Sequence, residues 1–328
     1  MGATGTGGPR LALALAALGV AAVASLCVGE RILGPGQALQ ALLDGGDDPV
    51  AVVVRQARWP RTVIGAAVGA ALGVAGVLSQ AVTRNPLASP SVLGLVHGAG
   101  LAVVALAWAG NPTPGQMAAA AVAGTVVAGA VVLGAAAGRG APAPARLVLA
   151  GIGVTGLCLA AAQMFLVLDE STFEQVRRWI TGSLTDRPMD TLAPLWPLMV
   201  GGAVVALALG PALDVLATGD DLATGLGQRV RLTRWGAAGA VCALTGAAVA
   251  AAGPLVFVGL VVPHAARALG TTDHRAVIVR AAVLGAALVV AADTLARRVV
   301  PHHDLPVGVL TAVIGGPAFV VLARRMRR

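Results

Sequence analysis

The sequence predicts an all-α polytopic membrane protein with about ten transmembrane helices. Hydrophobic residues make up 57% of the chain and charged residues only 12%, which is not the balance of a water-soluble globule. The apolar residues come in runs of about 20, the length that a helix needs to cross about 30 Å of hydrocarbon. Because every backbone polar group in lipid must be satisfied internally, such runs form helices.

Polar breaks between the apolar runs divide one transmembrane domain, residues 1–328, into its predicted spans. The first run follows Arg10 and exceeds the apolar core of a signal peptide, so we interpret it as a retained helix. The eighth run is short and contains Pro254 and Pro263, which predicts a tilted, broken or partly re-entrant helix. The spans lie near residues 9–28, 60–82, 91–110, 115–138, 146–168, 191–213, 234–252, 254–269, 276–296 and 306–323.

The basic residues of the chain, 23 in number, are all arginines, and their distribution predicts the orientation. If the N-terminus is cytoplasmic, arginines outnumber acidic residues in the cytoplasmic loops, whereas the two signs nearly balance outside, as the positive-inside rule requires. An even number of spans then places both termini in the cytoplasm. Since the chain has no lysine, it cannot supply the lysine of an ATP-binding phosphate loop. We therefore expect no enzyme activity in this chain, and any ATP hydrolysis must come from another polypeptide.

Few polar residues fall inside the predicted spans, and Asp293 is the clearest of them. Two interpretations stay open for it: a functional group within the membrane, or an ion pair with Arg297 four residues further along the helix. The chain lacks the ladder of buried acids and histidines that a proton relay needs, which argues against a proton-driven carrier. Gly65, Gly69 and Gly73 share one helix face and predict close helix packing.

Three polar segments stand between spans. Residues 55–61 place three arginines at the outer end of the second span, where they suit either interfacial anchoring or the docking of an acidic partner. Residues 84–90 contain two prolines with Asn and Ser, which predicts a rigid turn. Residues 220–229 begin with acids, as a helix N-terminus favours, and Leu222 and Leu226 form an apolar stripe. This last segment suits either a helix that enters a partner's groove or an amphipathic helix on the bilayer.

These segments belong to longer motif blocks, which follow one another in a characteristic order. The blocks include Arg58-x-Pro60-Arg61, Arg84-Asn85-Pro86-Leu87-Ala88-x-Pro90, Gly253-Pro254-Leu255-Val256-Phe257-Val258-Gly259, Ala292-Asp293-x3-Arg297 and Leu305-Pro306-Val307-Gly308. Together they closely resemble the FecCD/BtuC-type permease subunits of ABC importers for ferric siderophores, haem and vitamin B12, over about residues 50–325. The resemblance implies the type II ABC importer permease fold with ten spans.

The resemblance also implies a set of partners and a location. Two permease subunits, identical or paralogous, surround a central path, and two ATPase subunits that bind ATP and Mg lie below them. An extracytoplasmic substrate-binding protein docks above, and the remaining contacts are with the metal-chelate substrate and membrane lipid, with no nucleic acid. The implied location is the bacterial cytoplasmic (inner) membrane.

The family pattern assigns roles to individual positions of this chain. Outer arginines of the family receive acidic residues of the binding protein, and the matching positions here are Arg58, Arg61 and Arg297. The segment that couples to the ATPase lies within residues 214–233. It maps onto Asp221, Leu222, Ala223, Thr224, Gly225, Leu226 and Gly227.

From these observations we predict a permease subunit that imports a metal chelate, with a ferric siderophore as the leading substrate. Haem and cobalamin are the alternative substrates, and the scarcity of aromatic residues argues against haem. A secondary carrier that works without an ATPase is the alternative from another functional class. The five histidines show no metal-ligand spacing, so we expect no metal site in this chain. A permease handles the intact chelate without ligating its metal, so we also expect no catalytic residue and no cofactor.

The transport path is expected between two permease subunits, because a bundle packed by so many Gly and Ala leaves no wide opening inside one subunit. The fifth and tenth predicted spans are the expected lining helices. The candidate lining residues are Thr155, Gly156, Gln163, Met164 and Thr311.

Overall fold

The computed structural model describes residues 7–29, 31–43, 48–137, 143–299 and 304–325, and this part of the chain contains helices and turns without a strand. The predicted all-α class is therefore confirmed. The predicted cytoplasmic termini, residues 1–6 and 326–328, lie outside the described residues. The helices are α1 (Gly7–Cys27), α2 (Pro35–Leu43), α3 (Pro49–Val53), α4 (Trp59–Thr83), α5 (Leu95–Trp108), α6 (Pro114–Ala136), α7 (Pro144–Leu168), α8 (Glu170–Ile180), α9 (Trp196–Leu216), α10 (Asp220–Gly225), α11 (Val230–Ala252), α12 (Val258–Ala268), α13 (His274–Val299) and α14 (Val307–Arg325).

Seven helices of the described chain are long and apolar enough to cross a membrane, which makes this a multi-pass membrane protein. They are α1, α4 together with the short segment before it, α6, α7, α9, α11 and α13. The remaining predicted spans coincide with α5, α12 and α14, of which α5 has 14 residues and α12 has 11. Ten crossings therefore stay a prediction. Within the eighth predicted span the helix begins only at Val258, after a non-helical stretch at residues 253–257 that contains Pro254, and it continues through Pro263 without a break.

Helix α4 lies at the centre of the bundle and is buried along most of its length between α11, α12 and α13. Glycines allow its backbone to touch its neighbours directly. A Cβ atom at Gly69 would overlap the carbonyl oxygen of Gly285 on α13, and a Cβ at Gly76 would overlap that of Gly259 on α12. Gly73 meets the carbonyl of Ala281 in the same way. The predicted packing role is confirmed for Gly69 and Gly73, whereas Gly65 faces the Leu184 side chain and Gly76 was not predicted. Such close van der Waals contact drives helix association in lipid.

A junction of three glycines joins the end of α8, the end of α11 and the start of α14. The Ser183 amide donates to the Ala252 carbonyl at 2.8 Å, and the Gly308 amide donates to the Gly182 carbonyl at 3.0 Å. Gly182 and Gly253 have φ of 69° and 73°, in the region that disfavours side chains. A Cβ at Gly182, Gly253 or Gly308 would overlap a backbone carbonyl of the facing segment. The junction therefore fixes where α14 begins.

A test of the central packing compares two glycine-to-alanine changes. Gly69→Ala should lower the thermal unfolding temperature of the purified protein in detergent, because the new methyl group collides with backbone, and overpacking costs about 1–3 kcal/mol. Gly134→Ala on α6 is the matched control, since no atom lies within 4 Å of the added Cβ and alanine favours helix. Equal unfolding temperatures for the two variants would contradict the assigned role of Gly69.

Candidate functional site

A buried carboxylate organises one end of the bundle. The side chain of Asp293 on α13 is only 2% exposed and accepts hydrogen bonds from two arginines. Arg61 on α4 donates from Nε to both carboxylate oxygens at 3.1 Å and from Nη2 at 3.0 Å. Arg297, one turn along α13, donates from Nη2 at 2.6 Å. The ion pair between Asp293 and Arg297, one of the two interpretations that the sequence left open, is present, and the structure adds Arg61 from another helix.

Two further contacts extend this group, which we call the Asp293 cluster: Arg61, Asp293, Arg297 and Asp304. Arg61 donates from Nη1 to Asp304 at 2.5 Å, and the Asp304 side chain is 39% exposed. Arg297 donates to the carbonyl and the hydroxyl of Ser25 on α1, at 3.0 and 2.7 Å. The cluster therefore ties α1, α4 and α13 together, and Asp304 is the member that opens to solvent. Such an arrangement offsets the large cost of burying a charge.

Arg58 lies in a π-helical turn just before α4 and is also buried. Its Nη1 donates to the carbonyls of Leu26 and Cys27 at the end of α1, at 2.7 and 3.2 Å, and its Nη2 donates to the carbonyl of Arg31 at 2.7 Å. A cation near the last carbonyls of a helix is favourable. All three arginines predicted to dock a binding protein thus have partners within the chain, and their docking role stays a prediction.

The predicted coupling segment forms the short helix α10 and the turn that directly follows it, and Leu226 continues the last helical turn through its amide, which donates to the Leu222 carbonyl at 3.0 Å. Ala223 is fully buried, whereas Leu222 and Leu226 are 57% and 66% exposed. The other members of the predicted segment are also exposed: Asp221, Thr224, Gly225 and Gly227. The structure therefore gathers these residues around one exposed apolar stripe.

Asp220, at the start of α10, attaches this helix to the rest of the bundle through two arginines. It accepts a hydrogen bond from Nη2 of Arg234 on α11 at 2.8 Å and pairs with Arg84, which follows α4. Arg234 is fully buried. The turn after Arg84 is closed by Asn85, whose Oδ1 accepts from the Leu87 amide at 2.9 Å, so the predicted turn is confirmed. Sequence reasoning did not identify Arg84 and Arg234 as anchors, because Asp220 lies 136 positions from Arg84 and 14 from Arg234, and neither spacing is a neighbour relation within one helix.

Two adjoining cavities of about 400 and 420 Å³ lie along α5 and α7. Of the predicted path residues, Gln163 lines the first cavity and Thr155 lines the second. Gly156 and Met164 are exposed elsewhere on α7. Thr311 is buried and donates to the Gly308 carbonyl within α14 at 2.9 Å. Both cavities share His97 and Val256, which sequence reasoning did not select.

Helix α8 brings Trp179 and Ile180 to the first cavity, and an N-cap fixes where it begins. Asp169 accepts hydrogen bonds from the amides of Ser171 and Thr172. Hydrogen bonds from the Thr172 and Ser171 hydroxyls, and then from these amides, hold the pKa of the exposed Asp169 carboxyl below its usual value. The ionised form is the stronger acceptor and suits the helix N-terminus.

The fold and these sites define a multi-pass membrane protein with an exposed short helix and a partly polar groove between helices. The model of the FecCD transport family matches residues 17–325, and the chain belongs to this family. The family resemblance drawn from the sequence is thereby confirmed.

Individual relatives agree with this membership. The chain is 37% identical over 286 residues to the "Probable siderophore transport system permease protein YfiZ" of Bacillus subtilis (strain 168), covering 84% of this chain and 83% of that protein. It is 38% identical over 312 residues to the "Ferric enterobactin transport system permease protein FepD" of Escherichia coli (strain K12), covering 94% and 93%. A solved inward-facing structure assigned to the metal-chelate type of ABC transporter has a TM-score of 0.83 at 24% identity, covering 96% and 98% of the two chains. This likeness confirms the predicted permease fold.

The Asp293 cluster predicts a large stability effect. Asp293→Asn should lower the free energy of unfolding by about 3–5 kcal/mol, because two arginines lose the charge that compensates their burial. Glu174→Gln is the control, since it breaks the exposed pair of Glu174 with Arg177 and should cost about 0–1 kcal/mol. Both are measured by denaturant unfolding in detergent, and a loss for Asp293→Asn no larger than the control would refute the stabilising role.

Proposed function

We propose that this protein is the permease subunit of an ATP-driven importer that carries a metal chelate, with a ferric siderophore as the leading substrate, across the cytoplasmic membrane. The observation that carries the proposal is the family match over residues 17–325, together with relatives whose names specify siderophore and ferric enterobactin transport. ATP and Mg are bound by a separate ATPase, so this chain is not an enzyme. Haem or cobalamin import is the second candidate.

The exposed stripe on α10 supports an ATPase partner. Leu222 and Leu226 stand one helical turn apart and present apolar surface, the pattern of a helix that enters a groove. The opposite face is fixed to α11 and to the end of α4 through Asp220. A movement of the ATPase that displaces α10 would therefore be transmitted through Asp220 to α11 and to the end of α4. In this proposal residues 214–233 face the cytoplasm, as do both termini.

The Asp293 cluster supports the docking of an acidic binding protein at the other end of α4. Arg61 reaches the surface through Asp304, whose carboxylate is partly exposed. A carboxylate of the partner can take the place of Asp304 on Nη1 of Arg61, while Asp293 continues to hold Nε and Nη2. Arg58 and Arg297 add positive potential beside this point, and complementary charge of this kind steers association.

The two cavities support a transport path that a second permease subunit completes. Helix α7 borders both cavities, yet most of its surface is exposed in the single chain. Most of its exposed residues are apolar, and they include Leu149, Leu157 and Val167. A second copy or a paralogue that packs along α7 would close the groove, and Thr155 and Gln163 would then face the path. Gly156 and Met164 lie on the face available to that subunit.

The direct test of the proposed function is uptake by proteoliposomes. The permease is reconstituted with its cognate ATPase and binding protein and supplied with radiolabelled ferric chelates. ATP-dependent accumulation of a ferric siderophore supports the proposal. Accumulation of haem or cobalamin instead would assign the second candidate, and accumulation without ATPase or ATP would assign a secondary carrier.

The apolar stripe on α10 predicts the strength of ATPase binding. The double change Leu222→Ser/Leu226→Ser should weaken co-purification of the ATPase by tenfold or more, since burying each leucine contributes about 1.5–3 kcal/mol and about 1.4 kcal/mol is tenfold. Leu39→Ser/Leu43→Ser is the matched control, because these leucines are also exposed and one turn apart, on α2. Unchanged ATPase binding by the α10 variant would place the ATPase contact elsewhere.

If Asp304 and a carboxylate of the binding protein compete for Nη1 of Arg61, removing the charge of Asp304 should change the docking affinity. Asp304→Asn should tighten docking of the binding protein several-fold and make it more sensitive to salt, because Nη1 of Arg61 then has no carboxylate partner among the described residues while Asp293 still holds Nε and Nη2. Glu174→Gln removes the same charge from an exposed position on α8 and controls for net charge. Affinity is measured by surface-immobilised binding at several salt concentrations. If Asp304→Asn binds no more tightly than Glu174→Gln, Arg61 does not receive the partner.

A further inference from the structure

A polar cavity of about 370 Å³ lies between α2 and α3, and we call it the α2–α3 cavity. It opens at the same end of the bundle as the Asp293 cluster, since α2 and α3 connect the end of α1 to the start of α4, where Arg61 lies. Its volume falls in the range of small-molecule sites, about 300–1,000 Å³. The remaining lining residues are apolar, and the polar ones are Arg31, Gln37, Gln40 and Asp48.

The polar groups of this cavity are not used within the described part of the chain. Arg31 and Asp48 carry opposite charges and line the same cavity, yet they form no ion pair with each other or with another described residue. Asp48 is the N-cap residue of α3, where an aspartate usually accepts a hydrogen bond from the helix, but its side chain accepts none. Oε1 of Gln37 accepts from the Gly34 amide at 3.1 Å, which leaves the side-chain N–H donors of Gln37 without a partner among the same residues. Two opposite charges that stay apart in one cavity suit a ligand that carries both signs.

The backbone of Arg31 is held in place before any ligand binds. Its carbonyl accepts a hydrogen bond from Nη2 of the buried Arg58 at 2.7 Å. Two residues further on, the Leu33 amide donates to the Cys27 carbonyl at the end of α1, at 3.0 Å. The guanidinium therefore projects from a fixed segment, and a ligand that binds there loses less free energy to ordering of the protein.

The surface around the α2–α3 cavity is apolar and exposed. Helix α2 packs on α1, and only 22% of the apolar span in α1 is buried, which places both helices at the perimeter of the bundle. Trp59 at the start of α4 is also exposed, and tryptophans are enriched where a membrane meets water. The other exposed apolar residues near the cavity are Ile32, Leu39, Leu43 and Val53. A polar cavity beside such a surface offers a place for both parts of a lipid, its headgroup and its acyl chains.

We propose that the α2–α3 cavity binds the headgroup of a zwitterionic phospholipid, with the phosphate on Arg31 and the ammonium group on Asp48. A guanidinium matches phosphate oxygens in a bidentate geometry, and Gln37 adds neutral donors beside it. In phosphoethanolamine the two charges are covalently linked, so a single lipid pairs with both side chains. The acyl chains lie along the exposed apolar residues of α2. The inference goes beyond the proposed function and depends only on the membrane-spanning fold.

The test is a lipid titration of the purified, delipidated permease, followed by native mass spectrometry. The probes are phosphatidylethanolamine and phosphatidylglycerol with identical acyl chains, because the second lipid has the phosphate but no amine. The variants are Arg31→Gln and Asp48→Asn. Their matched controls remove the same charges from exposed positions outside the cavity: Arg298→Gln on α13 and Glu174→Gln on α8. All four positions are exposed, and equal unfolding temperatures confirm that the variants fold.

We expect wild type to bind one phosphatidylethanolamine saturably and about tenfold more tightly than phosphatidylglycerol, the ratio that about 1.4 kcal/mol produces. Arg31→Gln should weaken binding of both lipids about tenfold, whereas Asp48→Asn should abolish the preference and leave phosphatidylglycerol unchanged. The two controls should behave as wild type. If Arg31→Gln binds phosphatidylethanolamine as tightly as Arg298→Gln does, or if Asp48→Asn keeps the wild-type preference, the proposal is overturned.

Two further measurements separate a lipid from other occupants. Glycerophosphoethanolamine has the headgroup without acyl chains, and an equimolar amount should leave the bound phosphatidylethanolamine in place, because it cannot bury apolar surface along α2. Displacement at equal concentration would assign a soluble phosphate compound instead. If Arg31→Gln weakens docking of the binding protein while lipid binding is unchanged, the cavity belongs to that protein and the lipid proposal fails. The titration uses neither ATPase nor chelate, so failure of uptake by the proteoliposomes would leave its result unaffected.

Discussion

The direct approach of α4 to the backbones of α12 and α13 is the constraint on which the rest of the structure depends. In lipid, apolar side chains gain little by turning inward, so helices associate where small residues permit close contact. Gly69 and Gly76 provide that contact. They fix both the distance and the rotation of α4 against its neighbours, and this rotation carries Arg61 to Asp293 at one end of the helix and Gln80 to Arg267 near the other.

Helix α4 also connects the two surfaces that the proposed function requires. Arg61 lies in its first turn, and Arg84 directly follows its last residue. The helix has 25 residues and so spans about 37 Å. Arg61 belongs to the Asp293 cluster, whereas Arg84 holds Asp220 at the start of α10. A rigid helix whose two ends are held by ion pairs is a short route for communication between a docked binding protein and an ATPase.

The two sets of ion pairs differ in how fully they compensate buried charge. In the Asp293 cluster every arginine has several acceptors, including the carbonyl and hydroxyl of Ser25. At the other end Arg234 is fully buried, and its Nε and Nη1 have no hydrogen-bond partner among the described residues. Asp220 is its carboxylate partner. If α10 moved away, Arg234 would lose that charge at high cost, so α10 is expected to move together with α11.

The sequence by itself determined the all-α class, the approximate positions of the helices and the packing role of Gly69 and Gly73, because run length and the helical repeat are local properties. For Asp293 it left open whether the group is functional or pairs with Arg297. The tertiary structure alone decided that Arg61 also holds Asp293, from 232 positions away, and that three distant glycines meet at the start of α14. Only the tertiary structure shows that Thr155 and Gln163 line the two cavities, whereas Gly156, Met164 and Thr311 do not. It also places His97 in the lining of both cavities. The physical reason is that a helix apolar on every side carries little information about its own rotation, so its neighbours select the face that lines a path.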